Sequence, residues 1–239
     1  MNLRRGDAGP LRVGHRGAAA LAPENTLEAL EAALAHGVDA VEFDVLDAGE
    51  GPLVLGHSLA ELAAAPATLD EALDLLRGHD AGVHVDLKLT TRLGEVAAAL
   101  ARHGLTGRAV ASSFHLPSLQ ALAAADPSLR RGFTYPEDRF GVSKRPVLRP
   151  VLRAGTLALR RALVARVPAM VARAGATALM LQHAVVTPAA VARAHAAGAA
   201  VWAWTVDDPA ELARLDAAGV DAVISNDPRI FEGPATLTR

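Results

Sequence analysis

The sequence predicts a closed (β/α)₈ barrel with a short hairpin arm after its second strand. Three observations lead there. Strand-like and helix-like segments alternate along the chain, and eight strands remain once the arm is set aside. Polar clusters stand at strand C-termini spread over the whole sequence, and a barrel brings such ends together at one mouth. No G-x-G-x-x-G follows the first strand, which counts against a doubly wound open sheet. The length of 239 residues suits one α/β unit of the TIM-barrel class, so 1–239 is read as a single domain.

The first strand, 11–14, ends in His15, Arg16 and Gly17. A helix follows at 26–36, with Pro23 just before it and Asn25-x-x-Glu28 resembling a capping box. The second strand is 40–45. The Gly- and acid-rich link 47–52 is too short for a crossover, so 53–56 returns as a hairpin and carries His57 back beside that strand. Helix 69–77, strand 82–87, helix 92–102, strand 109–113, helix 117–125 and strand 131–134 continue the alternation. The stretch onward to Ala174 is ambiguous, and Pro150, Gly155 and Pro168 are expected to break any long amphipathic helix there. The end reads as strand 178–182, helix 188–197, strand 200–205, helix 209–217 and strand 222–225.

Composition narrows the function. Hydrophobic residues make up 51% of the chain, enough for a sizeable core. A net charge of −2 argues against bulk nucleic-acid binding. The absence of cysteine excludes disulfides, thiolate zinc sites and a cysteine nucleophile. The first ten residues, MNLRRGDAGP, lack the apolar core of a secretory signal, and no run of about 18 apolar residues offers a membrane span. A cytoplasmic enzyme is the expectation. Oligomeric state does not follow from the sequence.

Glu42 and Asp44 lie two residues apart on a strand and therefore share a face. Two carboxylates so placed repel unless a cation sits between them, and oxygen ligands suit a hard divalent ion, Mg²⁺ or Ca²⁺. His15 and His57 fall beside that pair. A lone histidine is more often a satisfied ring than a catalyst, but a group titrating near neutral pH next to paired carboxylates is placed for proton transfer. The other seven histidines (36, 79, 84, 103, 115, 183 and 195) are read as structural or surface groups, with His183 set apart because it follows a strand end.

The order HRG (15–17), PENT (23–26), VEFDV (41–45), GH (56–57), VDLK (85–88), SSF (112–114), WTV (204–206) and GVDAVISNDP (219–228) resembles the glycerophosphodiester phosphodiesterase family over nearly the whole chain. The resemblance implies hydrolysis of a small glycerophosphodiester to glycerol 3-phosphate and an alcohol. It implies a divalent metal ion, Mg²⁺ or Ca²⁺, on Glu42, Asp44 and Asp86, with His15 and His57 as general acid and base. His15 is assigned proton abstraction and His57 protonation of the leaving alcohol, though the reverse order stays open. So does the nucleophile, either the substrate's own hydroxyl or water. Arg16 and Lys88 would contact phosphate oxygens, one as a fork and one as a point charge. Trp204, and secondarily Phe114, would wall the alcohol side. Glu24 is read either as an added ligand or support, or as a helix N-terminal acid favoured by the macrodipole. A lysophospholipase D-like activity on lysophospholipids is the alternative enzyme. A phosphodiester-binding barrel without turnover is the alternative from another class, weakened by the presence of both histidines and three carboxylates.

Three features depart from the family's usual pattern. Asp86 stands where Glu is usual, so its carboxylate reaches less far. Ser58 follows the second histidine in place of Asp. The segment from His57 to the next helix is short, which implies a more open site. Separately, 139–206 holds ten Lys or Arg and no acid. Its plain reading is a solvated basic face, and its sharper one is weak peripheral contact with anionic lipid.

Overall fold

The computed structural model describes residues 1–136 and 149–232, with side chains in the second span from 155 onward. From the N-terminus run β1 (Leu11–Gly14), α1 (Leu27–Ala35), β2 (Ala40–Leu46), the arm β3 (Val54–Leu55), α2 (Leu69–Arg77) and β4 (Gly82–Leu87). There follow α3 (Leu93–Arg102), β5 (Ala109–Ser113), α4 (Leu116–Ala125), β6 (Arg130–Tyr135), α5 (Arg149–Ala174) and β7 (Ala178–Gln182). The chain continues through α6 (Pro188–Ala196), β8 (Ala200–Trp204), α7 (Pro209–Ala217) and β9 (Ala222–Ser225). Hydrogen-bonded neighbours run β1-β9-β8-β7-β6-β5-β4-β2, and β1 pairs with β2 to close the ring. Every pairing in that ring is parallel, and β3 alone lies antiparallel, on β2. The expected (β/α)₈ barrel and its hairpin arm are therefore present.

Local chemistry starts the helices where they start. Thr68 and Glu71 form a reciprocal capping box on α2. Thr187 and Asp208 cap α6 and α7, each followed by proline at the first helical position, where no intrahelical N–H is needed. The strands are buried on both faces, as a helix-covered parallel sheet requires. Outward residues such as Val41, Phe43, Val83 and Val85 pack under the helices. Inward residues such as Val13, Val110, Met180, Trp202 and Ile224 fill the barrel with Leu3. The lower end is plugged by the N-terminal residues. Trp202 Nε1 donates to Leu3 O at 3.0 Å, and a Cβ at Gly82 would collide with the Met1 side chain. The upper end is left to polar side chains.

The structure corrects the sequence reading of the stretch before Ala174. α5 is one helix of 26 residues, and Gly155 and Pro168 lie inside it. Pro150 falls in its first turn, where a missing N–H is harmless. Gly155 costs only propensity. The bond lost at Pro168 is offset by burial of Leu163, Val167 and Val171 against the barrel. Residues 137–148, which include the start of the basic stretch at Arg139, lie outside the described residues. Among the described residues, no helix is long and apolar enough to cross a membrane.

Candidate active site

The site grows out of the turn after β1. Arg16 has φ 50° and Gly17 φ 81°. A Cβ at Gly17 would stand 2.4 Å from the backbone of Ala29 in α1, so only glycine lets the helix approach this closely. The turn delivers His15 and Arg16 over the barrel mouth. Arg16 N–H donates to Glu42 Oε2 at 2.7 Å, and Arg16 Nε lies 3.1 Å from Asp44 Oδ2. Arg16 Nη1 donates to Glu24 Oε1 at 2.6 Å. Glu24 thus anchors the guanidinium from a half-exposed position and stands apart from the carboxylate cluster.

Glu42, Asp44 and Asp86 are buried, and one oxygen from each lies within 4.8 Å of the others. Register explains the meeting: Asp44 pairs with Asp86 across β2 and β4, and Glu42 sits one inward position below Asp44. Lys88 Nζ lies 3.0 Å from Asp44 Oδ1 and also bonds Asp86. Burial alone would raise the Asp44 carboxyl, but the bond to His57 and the charges of Lys88 and Arg16 hold it well below its usual range. Lys88, despite burial, is pushed above the usual range by Asp86 and Asp44. Glu42 goes the other way. Burial, then the charges of Asp44 and Asp86, raise its carboxyl well above the ordinary value. Among the described residues its partners are the Arg16 N–H and, at 3.9 Å, His15 Nε2. An all-oxygen, buried cluster whose innermost carboxylate lacks a full cationic partner fits a hard divalent ion.

His15 Nδ1 lies 2.7 Å from Asn226 Oδ1, and burial lowers the ring below its ordinary value. His57 Nδ1 lies 3.2 Å from Asp44 Oδ2 and 3.0 Å from Arg16 Nη2. A guanidinium only donates and a carboxylate only accepts, so this nitrogen serves one of them at a time. Asp44 supplies the orienting carboxylate that the residue after His57 does not. Ser58 turns away and donates to Glu61 Oε2 at 3.0 Å. Phe114 and Trp204 meet edge to face at 5.9 Å, and Lys88 Nζ lies 5.8 Å from the Phe114 ring centre. His15, Arg16, Glu42, Asp44, His57, Asp86, Lys88, Phe114 and Trp204 line one cavity of about 670 Å³. Of the predicted site residues, only Glu24 stands off its wall.

Several participants are missing from the residues expected at the site. Asn25 reads in the sequence as a helix cap, but the cap is Thr26, which accepts from Ala29 N. Asn25, at φ 59°, instead grips Asp44: its Nδ2 donates to Asp44 Oδ2 at 3.0 Å and its Oδ1 accepts from Asp44 N at 2.9 Å. Asn25→Ala leaves a buried Asp44 N–H without its acceptor and should lower stability by about 1–3 kcal/mol, read as a lower Tm in EDTA. His84, expected to be structural, lies on the cavity floor. Its Nε2 is 2.8 Å from Ser112 Oγ, which donates in turn to Asp86. Burial lowers His84 to about 4, so it stays neutral. Alternation along β4 would have revealed it, since residue 84 faces the same way as 86. His183 Nδ1 bonds Glu211 Oε1 at 2.7 Å, outside the cavity.

The model of the Glycerophosphoryl diester phosphodiesterase family matches residues 15–75 and 73–230. A glycerophosphodiester phosphodiesterase of Caldanaerobacter subterraneus subsp. tengcongensis is 24% identical, the match covering 91% of this chain and 94% of that protein. The crystal structure of glycerophosphodiester phosphodiesterase from Agrobacterium tumefaciens is 23% identical at a TM-score of 0.71, covering 94% of this chain and 100% of that one. That of an Oleispira antarctica phosphodiesterase in complex with the product sn-glycerol-3-phosphate is 23% identical at a TM-score of 0.70, covering 94% and 96%. At these identities the two crystal structures attest a shared fold.

Proposed function

The chain belongs to the glycerophosphoryl diester phosphodiesterase family, and we propose that it hydrolyses small glycerophosphodiesters to glycerol 3-phosphate and an alcohol in a divalent metal-dependent reaction. The observation that carries this reading is the meeting of two histidines, three carboxylates and Arg16 in one cavity at the barrel mouth. Glu42, Asp44 and Asp86 would hold the ion, Mg²⁺ or Ca²⁺, which when bound supplies positive charge to the phosphate. The chain's own groups do the rest. Arg16, held by Glu24 and Asp44, presents guanidinium N–H groups to phosphate oxygens. Lys88 adds a second positive charge, kept protonated by Asp86 and Asp44.

His15, kept neutral by burial, accepts at Nε2 the proton of the nucleophile, either water or the substrate's own hydroxyl. The freed electron pair forms the new P–O bond as the old one breaks. The departing alcohol oxygen takes its proton from His57 Nε2. For that, the His57 ring donates Nδ1–H to Asp44 Oδ2 and carries the transferred proton on the opposite nitrogen, so a neutral imidazole remains after the transfer. With the substrate's own hydroxyl as nucleophile, the displacement leaves a cyclic phosphate, which water then opens to glycerol 3-phosphate with the two rings exchanging roles. Trp204 and Phe114 give the alcohol an apolar wall and shield the reacting bond from bulk water. A substrate panel on purified protein tests the reading: glycerophosphocholine, glycerophosphoethanolamine, lysophosphatidylcholine and bis-p-nitrophenyl phosphate, each with and without EDTA. EDTA-sensitive turnover of the first two supports it. Exclusive turnover of lysophosphatidylcholine would favour the lysophospholipase D-like alternative, and binding without turnover the non-catalytic one.

A further inference from the structure

We propose that Asp207 and Asn226 are positioning residues that fix the tautomer of His15, leaving its Nε2 bare for the proton it must accept. The proposal rests on the reading of His15 as the base. Asp207 lies in the loop after β8, and Asn226 directly follows β9. Neither touches the cavity.

The chain of bonds runs in one direction. Asp207 Oδ1 accepts from Asn226 N at 2.8 Å and from Ser225 Oγ at 3.0 Å. Asp207 Oδ2 accepts from Asn226 Nδ2 at 2.6 Å. A carboxylate can only accept, so the amide must turn its NH₂ toward Asp207. That turns Asn226 Oδ1 toward His15 Nδ1, 2.7 Å away. A carbonyl oxygen also only accepts, so the imidazole hydrogen stands on Nδ1. A neutral imidazole has one N–H, and Nε2 keeps its lone pair.

The backbone is fastened at the same place. His15 N–H donates to Ser225 O at 2.7 Å, and Ala20 N–H to Asn226 O at 3.0 Å. The ring and its acceptor therefore keep their mutual position, and only the side-chain polarity is left to be set. Asp207 sets it.

Exchanging one carboxylate oxygen for an amide nitrogen reverses this direction. In Asp207→Asn the backbone N–H of Asn226 cannot turn, so the new amide keeps its oxygen there. Its NH₂ then faces the NH₂ of Asn226, two donors in contact. Turning the Asn226 amide over relieves this, but presents NH₂ to His15 Nδ1. The imidazole must then carry its hydrogen on Nε2, and the lone pair needed for catalysis is gone. The double variant Asp207→Asn/Asn226→Asp restores the original order. The amide oxygen at position 207 accepts from the backbone N–H of position 226 and from Ser225. Its NH₂ donates to the new carboxylate at 226, and that carboxylate accepts from His15 Nδ1–H.

The test labels histidine with ¹⁵N and reads each ring's tautomer from long-range ¹H–¹⁵N correlations, with the His15 signals identified by their loss in His15→Ala. Turnover of glycerophosphocholine is measured on the same samples. Wild type should show His15 with hydrogen on Nδ1. Asp207→Asn should show it on Nε2, with kcat lower by about 10²-fold or more, as loss of a general base or a wrong tautomer gives, and KM little changed. The double variant should regain both the Nδ1–H signal and most of kcat. A wild type with Nε2–H, or an Asp207→Asn protein that keeps Nδ1–H, overturns the proposal. If Asp207→Asn does not fold, the double variant decides alone, because it retains every hydrogen bond; Nε2–H there is equally fatal. A wild type with Nδ1–H that hydrolyses no glycerophosphodiester would refute the functional reading and leave the tautomer device standing.

Discussion

Replacing either His15 or His57 by alanine should lower kcat on glycerophosphocholine by about 10²–10⁴-fold, the usual range for loss of one general acid or base. The two rings approach the site from opposite supports. His15 hangs on Asn226, at the end of β9, while His57 comes in on the β3 arm and leans on Asp44 and Arg16. If one takes a proton while the other gives one in a single displacement, each is idle without its partner. The double variant should then be little slower than the slower single one, because groups that act as a unit do not add. Full additivity would mean that they serve separate steps. A His57→Ala enzyme near wild-type turnover would remove His57 from the proposed mechanism. Circular dichroism on each variant guards against unfolding, though His57 is over a third exposed and its loss opens no core cavity.

EDTA should abolish turnover, and Mg²⁺ or Ca²⁺ should restore it. Glu42 gives this prediction a thermodynamic arm. Its carboxyl is raised by burial and by Asp44 and Asp86, so the metal-free fold holds the Glu42 proton more tightly than the unfolded chain does. A carboxyl raised on folding weighs against the native state once pH climbs past its unfolded value of about 4.3. Glu42→Gln removes that burden and keeps an oxygen for the Arg16 N–H. In EDTA at pH 7 the variant should therefore melt at or above the wild-type Tm. With saturating metal the order should reverse, because an ion that binds only the native state stabilises the protein by an amount that grows with the logarithm of its affinity, and wild type binds it more tightly. The same linkage makes metal binding weaken as pH falls, since the proton on Glu42 must leave. Calorimetry that finds equal metal affinity in wild type and Glu42→Gln, or elemental analysis and turnover that ignore EDTA, would contradict the metal assignment.

Much of this molecule is legible in its sequence because barrel strands carry two signals at once. Segments such as AVEFDV and GVHVDL are apolar enough to be strands, and their acids mark the ends that face the mouth. Apart from α5, the predicted elements agree with the observed ones to within a residue at each end. Pro150, Gly155 and Pro168 obscure the long helix. Their breaking tendency is local, and packing of Leu163, Val167 and Val171 overrides it. Of the site, the carboxylates, His15 and His57 are readable, while His84 in the same lining reads as structural. The groups that support these residues are not legible. Asn25 looks like a cap because Asn before a helix usually is one, yet its partner lies 19 positions on, in β2. Asn226 reaches His15 across 211 positions. No periodicity or spacing carries such a bond; only closure of the barrel brings β9 beside β1.

The decisive measurement is the product of glycerophosphocholine hydrolysis, followed by ³¹P NMR on purified protein with Mg²⁺ or Ca²⁺. Hydrolysis by this site should release glycerol 3-phosphate and free choline, with the glycerol 3-phosphate signal absent in EDTA and in His15→Ala. Phosphocholine and glycerol, or no product from a folded, metal-loaded protein, would contradict this reading.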